Sequence, residues 1–120
     1  MYEIAVENTF DAAHCLRDYQ GNCSRLHGHT YRVVARFRFD SVGESGMAFD
    51  FREAKSLLKG TIDYLDHQYI NELPEFSVYN PTAESIAKFF FDRIKGSDSR
   101  IHSVSVWETP TSCATYFEEG

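Results

Sequence analysis

Three of the five histidines in this chain are spaced for metal chemistry. His27-Gly28-His29 sets two imidazoles two residues apart, and on an extended chain both point the same way. Gly28 between them lets backbone or ligand approach closely. His14 ends an alternating segment and falls beside this pair if the two segments pair as strands. Three converging imidazoles leave a fourth tetrahedral position open, the arrangement of catalytic rather than structural zinc. The competing reading is surface or hydrogen-bonded histidines, and a bare His-x-His does not choose between them. Cys23 lies four residues before His27, and spacing leaves three roles open to it. It is a fourth ligand that closes the site, a thiolate base or nucleophile held off the metal with its pKa lowered by the cation, or a buried inert thiol.

Asp66-His67 sets a carboxylate beside an imidazole, either to orient it for proton transfer or simply to cap a helix C-terminus. Glu108 ends a strand-like run. There it either accepts two parallel N–H donors, as from a guanidinium or an aminopyrimidinone ring, or faces solvent. Thr82 and Glu84 read first as cap and dipole residues of a helix start. Cys15 and Cys113 read as structural, and His102 as a surface residue.

These groups need a frame. Tyr2, Ile4, Val6, Phe10, Ala12 and His14 share one parity, with Glu3, Glu7 and Asp11 on the other, which reads as a strand with one buried face. A turn-rich loop follows, with Asp18, Gly21, Asn22, Ser24 and Gly28. Alternation resumes at His29, with Tyr31, Val33, Ala35, Phe37 and Phe39 opposite Arg32, Arg36 and Arg38. Asp40 to Gly46 reads as a hairpin connection to a short strand at Met47 to Phe49. Asp50 opens a helix through a capping box with Glu53, and Ala54, Leu57, Leu58, Ile62 and Leu65 form its buried face. Asn71 to Tyr79 is a loop. A second helix opens at Asn80-Pro81 with Pro at the first helical position. Ile86, Phe89, Phe90 and Ile94 are its stripe and Gly96 its stop. Ile101 to Glu108 and Ser112 to Phe117 are the last strands. The order implies an α+β domain over residues 1–120: a mainly antiparallel sheet with two helices on one face. The other face is left to solvent or to another subunit.

At 120 residues the chain has room for one domain. Its 42% hydrophobic and 15% aromatic content suits one compact core. No apolar run approaches the ~20 residues of a membrane span, and no signal peptide is read at the N-terminus. A net charge of −6 argues against nucleic acid as partner. An odd number of cysteines without a CxxC pair fits reduced thiols in the cytoplasm.

Together the pieces resemble the family of 6-pyruvoyltetrahydropterin and 6-carboxytetrahydropterin synthases, nearly end to end. They are Phe10-Asp11-Ala12-Ala13-His14, Cys23 through His29 with Thr30-Tyr31, Gly46-Met47 through Asp50-Phe51, Leu65-Asp66-His67 with Asn71, Asn80-Pro81-Thr82-Ala83-Glu84, and Trp107-Glu108-Thr109. Family members commonly carry Ser where this chain has Asp11. The short gap between Cys23 and His27 resembles the bacterial carboxy enzymes of queuosine (7-deazaguanine) synthesis more than the animal pyruvoyl enzymes.

The resemblance implies a tunnelling fold, with sheets of several subunits joined into a barrel as a trimer or hexamer and active sites at subunit interfaces. It implies Zn2+ on His14, His27 and His29, Cys23 as general base, His67 oriented by Asp66 for proton transfer, and Glu108 as pterin anchor with Thr82 and Glu84 as helpers. The implied reaction turns 7,8-dihydroneopterin triphosphate into 6-carboxytetrahydropterin, acetaldehyde and triphosphate, with Arg17 and Arg25 as candidates for the triphosphate. The alternatives are the pyruvoyl product, a zinc hydrolase with Glu108 as base, and a non-catalytic zinc-stabilised assembly module.

Overall fold

The computed structural model describes residues 1–18 and 20–119. The first two strands, β1 (Tyr2–His14) and β2 (His27–Phe39), pair antiparallel from Tyr2↔Phe39 to His14↔His27. β2 starts at His27 rather than His29, so the whole His-Gly-His triplet belongs to the strand. Helices α1 (Phe51–Leu65) and α2 (Ala83–Ser97) follow, then β3 (Ile101–Thr109) and β4 (Ser112–Phe117). The sheet is antiparallel throughout, in the order β1-β2-β3-β4.

Both helices pack on one face of this sheet, α1 against β1 and α2 against β3 and β4. Phe10, Tyr31, Val33, Ala35, Phe37, Val104 and Val106 point into the layer between, where Leu58, Ile62, Leu65, Ile86, Phe90 and Ile94 meet them. This is the parity expected from the alternation. The opposite face carries charge and polar ladders. Arg32 lies 3.8 Å over the Trp107 ring, Glu3 pairs with Arg36 and Arg38, and Arg36 donates to Ser105 Oγ at 2.7 Å.

Several boundaries depart from the sequence expectation. Met47 to Phe49 forms no strand: both neighbours of β2 are already taken, by β1 and β3, so no edge is free for a third. Instead Gly43 and Gly46 form a turn, and Phe49 tucks against Phe37 and Phe39. Asp50 caps α1 by accepting from Arg52 N at 2.8 Å, not from Glu53. Pro81 lies before the cap of α2, because Thr82 is the N-cap, its hydroxyl accepting from Ser85 N. Gly96 lies inside α2, which stops at Asp98, where an ion pair with Arg100 takes over. His102 is half-buried and stacks on Phe117, and Cys113 is exposed.

β1 is an edge strand, and the chain leaving α1 covers its C-terminal part. His67 N donates to Asp11 O at 2.6 Å, Ala13 N donates to Gln68 O at 3.0 Å, and Tyr69 bridges Ala13 in parallel. No described helix is long and apolar enough to cross a membrane.

Candidate metal centre

Register builds the centre. The His14↔His27 pair ends the β1–β2 ladder, and His29 sits two residues along on the same face. One ring nitrogen from each lies within 4.8 Å of the others. His14 is 1% exposed, and its Nδ1–H donates to Pro81 O at 2.7 Å. His27 Nδ1–H donates to Arg25 O at 2.6 Å. A carbonyl only accepts, so in the neutral rings both Nδ1 atoms carry the proton and both Nε2 atoms present lone pairs. These two Nε2 atoms are 3.0 Å apart. Facing lone pairs at that distance repel unless a cation lies between them. Burial holds His14 below the ordinary histidine pKa, against the raising effects of Pro81 and Glu108, and burial lowers His29 likewise. Burial thus disfavours a proton on His14 and on His29. His29 Nε2 is buried with no hydrogen-bond partner, a cost of roughly 1–3 kcal/mol unless something fills the space. A nitrogen-preferring metal ion answers all of these observations, and the donor set fits one.

Glu108 reaches the same place from β3, with its carboxylate 3.9 Å from His29 Nε2. Tyr31, next on this face of β2, is fully buried with an unpartnered hydroxyl, and burial first, then the Glu108 charge, push its phenol far above its usual range.

The loop leaving His14 is held by two asparagines that act like strand neighbours. Asn71 accepts from Cys15 N and donates to Cys15 O, both at 2.9 Å. Asn80 accepts from Arg17 N at 2.8 Å and donates to Arg17 O at 3.0 Å. The Arg17 guanidinium donates to Asn71 O and Tyr79 O, so it clips the loop rather than standing free. Asn80 thereby positions Pro81, whose carbonyl fixes His14. Neither the clamps nor the Pro81 carbonyl was read from the sequence, although Asn71, Asn80 and Pro81 stand in the motifs that carried the resemblance.

Cys23 lies on a short 3-10 turn, Asn22–Ser24, and is exposed, which removes the buried-thiol reading. Its sulfur is not among the atoms gathered with the histidines. Asp66 and His67 form a second group, joined by Asp11. Asp66 Oδ1 accepts from Asp11 N and Oδ2 lies 3.0 Å from His67 Nδ1, while Thr30 donates to the Asp11 carboxylate. The Asp11 amide, first among several causes, holds Asp66 below the usual carboxylate range. His67 takes φ +59°, a strained conformation for a non-glycine residue. Both groups border one shallow concavity of about 570 Å3, lined by Asp11, His29, Thr30 and His67 among others. Thr82 and Glu84 start α2, where the Thr82 hydroxyl is spent on the cap.

Residues 3–119 match the model of the family described as 6-pyruvoyl tetrahydropterin synthase. The chain is 40% identical to the 6-carboxy-5,6,7,8-tetrahydropterin synthase of Synechocystis sp., over 98% of this chain and 94% of that one. It is 37% identical to the enzyme of the same name from Haemophilus influenzae, over 98% and 100%. The structure of 6-pyruvoyl tetrahydropterin synthase from Caenorhabditis elegans superposes with a TM-score of 0.89 at 25% identity, covering 98% of this chain and 96% of that one.

Proposed function

Because the chain belongs to the 6-pyruvoyl tetrahydropterin synthase family, whose tunnelling fold it shares, we propose that it is a zinc-dependent 6-carboxy-5,6,7,8-tetrahydropterin synthase. On this reading residues 1–120 work as one catalytic domain in the cytoplasm. The domain converts 7,8-dihydroneopterin triphosphate to 6-carboxytetrahydropterin, acetaldehyde and triphosphate for queuosine synthesis. The observation that carries the reading is the gathering of His14, His27, His29 and Glu108 at one end of the sheet. The names of its bacterial relatives favour the carboxy over the pyruvoyl product.

Zinc held by His14, His27 and His29 would supply a Lewis acid that polarises substrate oxygens and eases loss of neighbouring protons. Glu108 accepts from the 2-amino and N3–H groups of the pterin and fixes the ring, with Thr82 and Glu84 at the start of α2 as helpers. Fixed orientation is worth several kcal/mol of barrier, on the order of the entropy it pre-empts. Cys23, as thiolate, takes a proton from the substrate side chain. His67 donates its Nδ1–H to Asp66, which leaves Nε2 to move protons on the other side. The exposure of His67 and Cys23, with Asp66 half-buried beside His67, suits a site completed between subunits of a trimer or hexamer, where a neighbour's copy of one group meets this chain's copy of another.

The test is to incubate zinc-loaded protein with 7,8-dihydroneopterin triphosphate and assay acetaldehyde and pterin product together. Acetaldehyde with a 6-carboxy pterin is expected. Triphosphate with a pyruvoyl pterin and no acetaldehyde would make this the sister enzyme, and unchanged pterin would overturn the reading.

A further inference from the structure

The pairing of β3 with β4 slips by one residue beside the metal centre. Trp107 pairs with Cys113 and Thr109 with Ser112, so two steps along β3 meet one step along β4, and Glu108 is the extra residue of a β-bulge. The turn explains the slip. Pro110 and Thr111 join the strands as a two-residue connection, and the turns that match strand twist at that length need positive φ. Pro110 fixes φ at about −65°, and neither residue is among those with positive φ. The bulge absorbs the mismatch by adding local twist.

Its consequence is a change of face. Trp107 and Cys113 lie on the open face of the sheet, where Arg32 covers the Trp107 ring. Alternation puts Ser112 on the other face, with Tyr116, which packs on Phe91 of α2, and Thr109 follows its partner Ser112. The Glu108 carboxylate, 3.9 Å from His29 Nε2, points to that face too. Consecutive residues of a plain strand point apart, whereas here a carboxylate and a hydroxyl stand side by side at the site. Thr109 is exposed, and among the described residues its hydroxyl has one partner, Thr111 Oγ1 at 3.5 Å, the outer limit of a hydrogen bond.

Resting on the pterin reading above, we propose that Thr109 is a specificity-determining residue whose hydroxyl donates to O4 of the pterin ring while Glu108 accepts from N3–H and the 2-amino group. That edge of a pterin presents two donors and then an acceptor in a row. A carboxylate only accepts, so it matches the donors and repels the carbonyl oxygen beside them, and the hydroxyl supplies the missing donor. The bulge lets one strand end read the whole edge.

The experiment compares zinc-loaded Thr109→Val, Thr109→Ser and Thr111→Val with the parent. Valine keeps the β-branched shape without the hydroxyl, serine keeps the hydroxyl, and Thr111→Val tests the turn. Neopterin affinity is titrated by fluorescence, kinetics are run on 7,8-dihydroneopterin triphosphate, and metal content and thermal midpoint are recorded. Thr109→Val should lose about three- to tenfold in neopterin affinity, the worth of one hydrogen bond. KM should rise by the same factor with kcat unchanged, as for a contact made equally before and during the reaction. Thr109→Ser and Thr111→Val should match the parent, and metal content and midpoint should hold throughout. Parental affinity in Thr109→Val would overturn the assignment, as would a loss that Thr109→Ser does not restore or that Thr111→Val shares. A lower midpoint or lost metal in Thr109→Val would make the hydroxyl structural and overturn it too. If the parent itself neither binds neopterin nor turns over the triphosphate, the pterin reading fails, and the Thr109 assignment with it.

Discussion

At His14 and His29, burial gives pH a defined sign. Both imidazoles are held below their ordinary value by desolvation first. Between the lowered folded values and about 6.5 the unfolded chain therefore binds more protons. Stability rises with pH through that window and is lost as pH falls below about 6.5. Protons also compete with metal for the same nitrogens, so metal leaves in the same direction. Thermal melts of the metal-free protein should show a falling midpoint as pH drops below about 6.5, and His29→Asn should flatten that slope. An unchanged slope in the variant would remove His29 as a cause. Cys23 tests a different point. It is exposed and outside the histidine cluster, so Cys23→Ala should keep its metal and change stability by no more than about 0.5 kcal/mol. Turnover should still fall about a hundredfold or more. Loss of metal instead would make Cys23 a ligand.

Among the elements, the start of α2 links folding to the site. Thr82→Ala should cost about 1 kcal/mol through the lost cap, and Thr82→Ser should restore it, as read by denaturant midpoints. Asn80→Ala should do more. It strips Arg17 of both backbone partners, worth about 1–3 kcal/mol, and frees the Pro81 carbonyl that holds His14. A chelator competition should then show metal affinity lowered about 10–100-fold; full affinity would mean that Pro81 is held by other contacts. The contrast shows what the sequence can reveal. The alternation over Tyr2 to His14 and Tyr31 to Phe39 exposed the buried face because period two is a local signal, and from it the meeting of His14 with His27 followed. The asparagine clamps span 56 and 63 residues of chain and leave no local pattern. Met47 to Phe49 misled because three residues cannot specify a strand when β1 and β3 already occupy both sides of β2, the strand it would have paired with. Asp11 joined the Asp66-His67 group through tertiary docking of the α1 exit, which no spacing announces.

The whole molecule presents a sheet with one face covered by helices and the other lined by Arg32, Arg36, Trp107 and their acidic partners. Its edges, β1 and β4, are open over most of their length, and an open edge is a template for pairing with another chain. Sedimentation velocity should therefore find a closed trimer or hexamer. A monomer with full turnover would contradict a site shared between subunits. Titrating Co2+ into the metal-free protein, with visible absorption as the readout, tests the three-histidine centre. Uptake of about one ion per chain with a tetrahedral spectrum is expected, displaced by Zn2+ and abolished in His14→Ala, His27→Ala and His29→Ala alike. Undiminished uptake in any of these variants, or none in the parent, would contradict it.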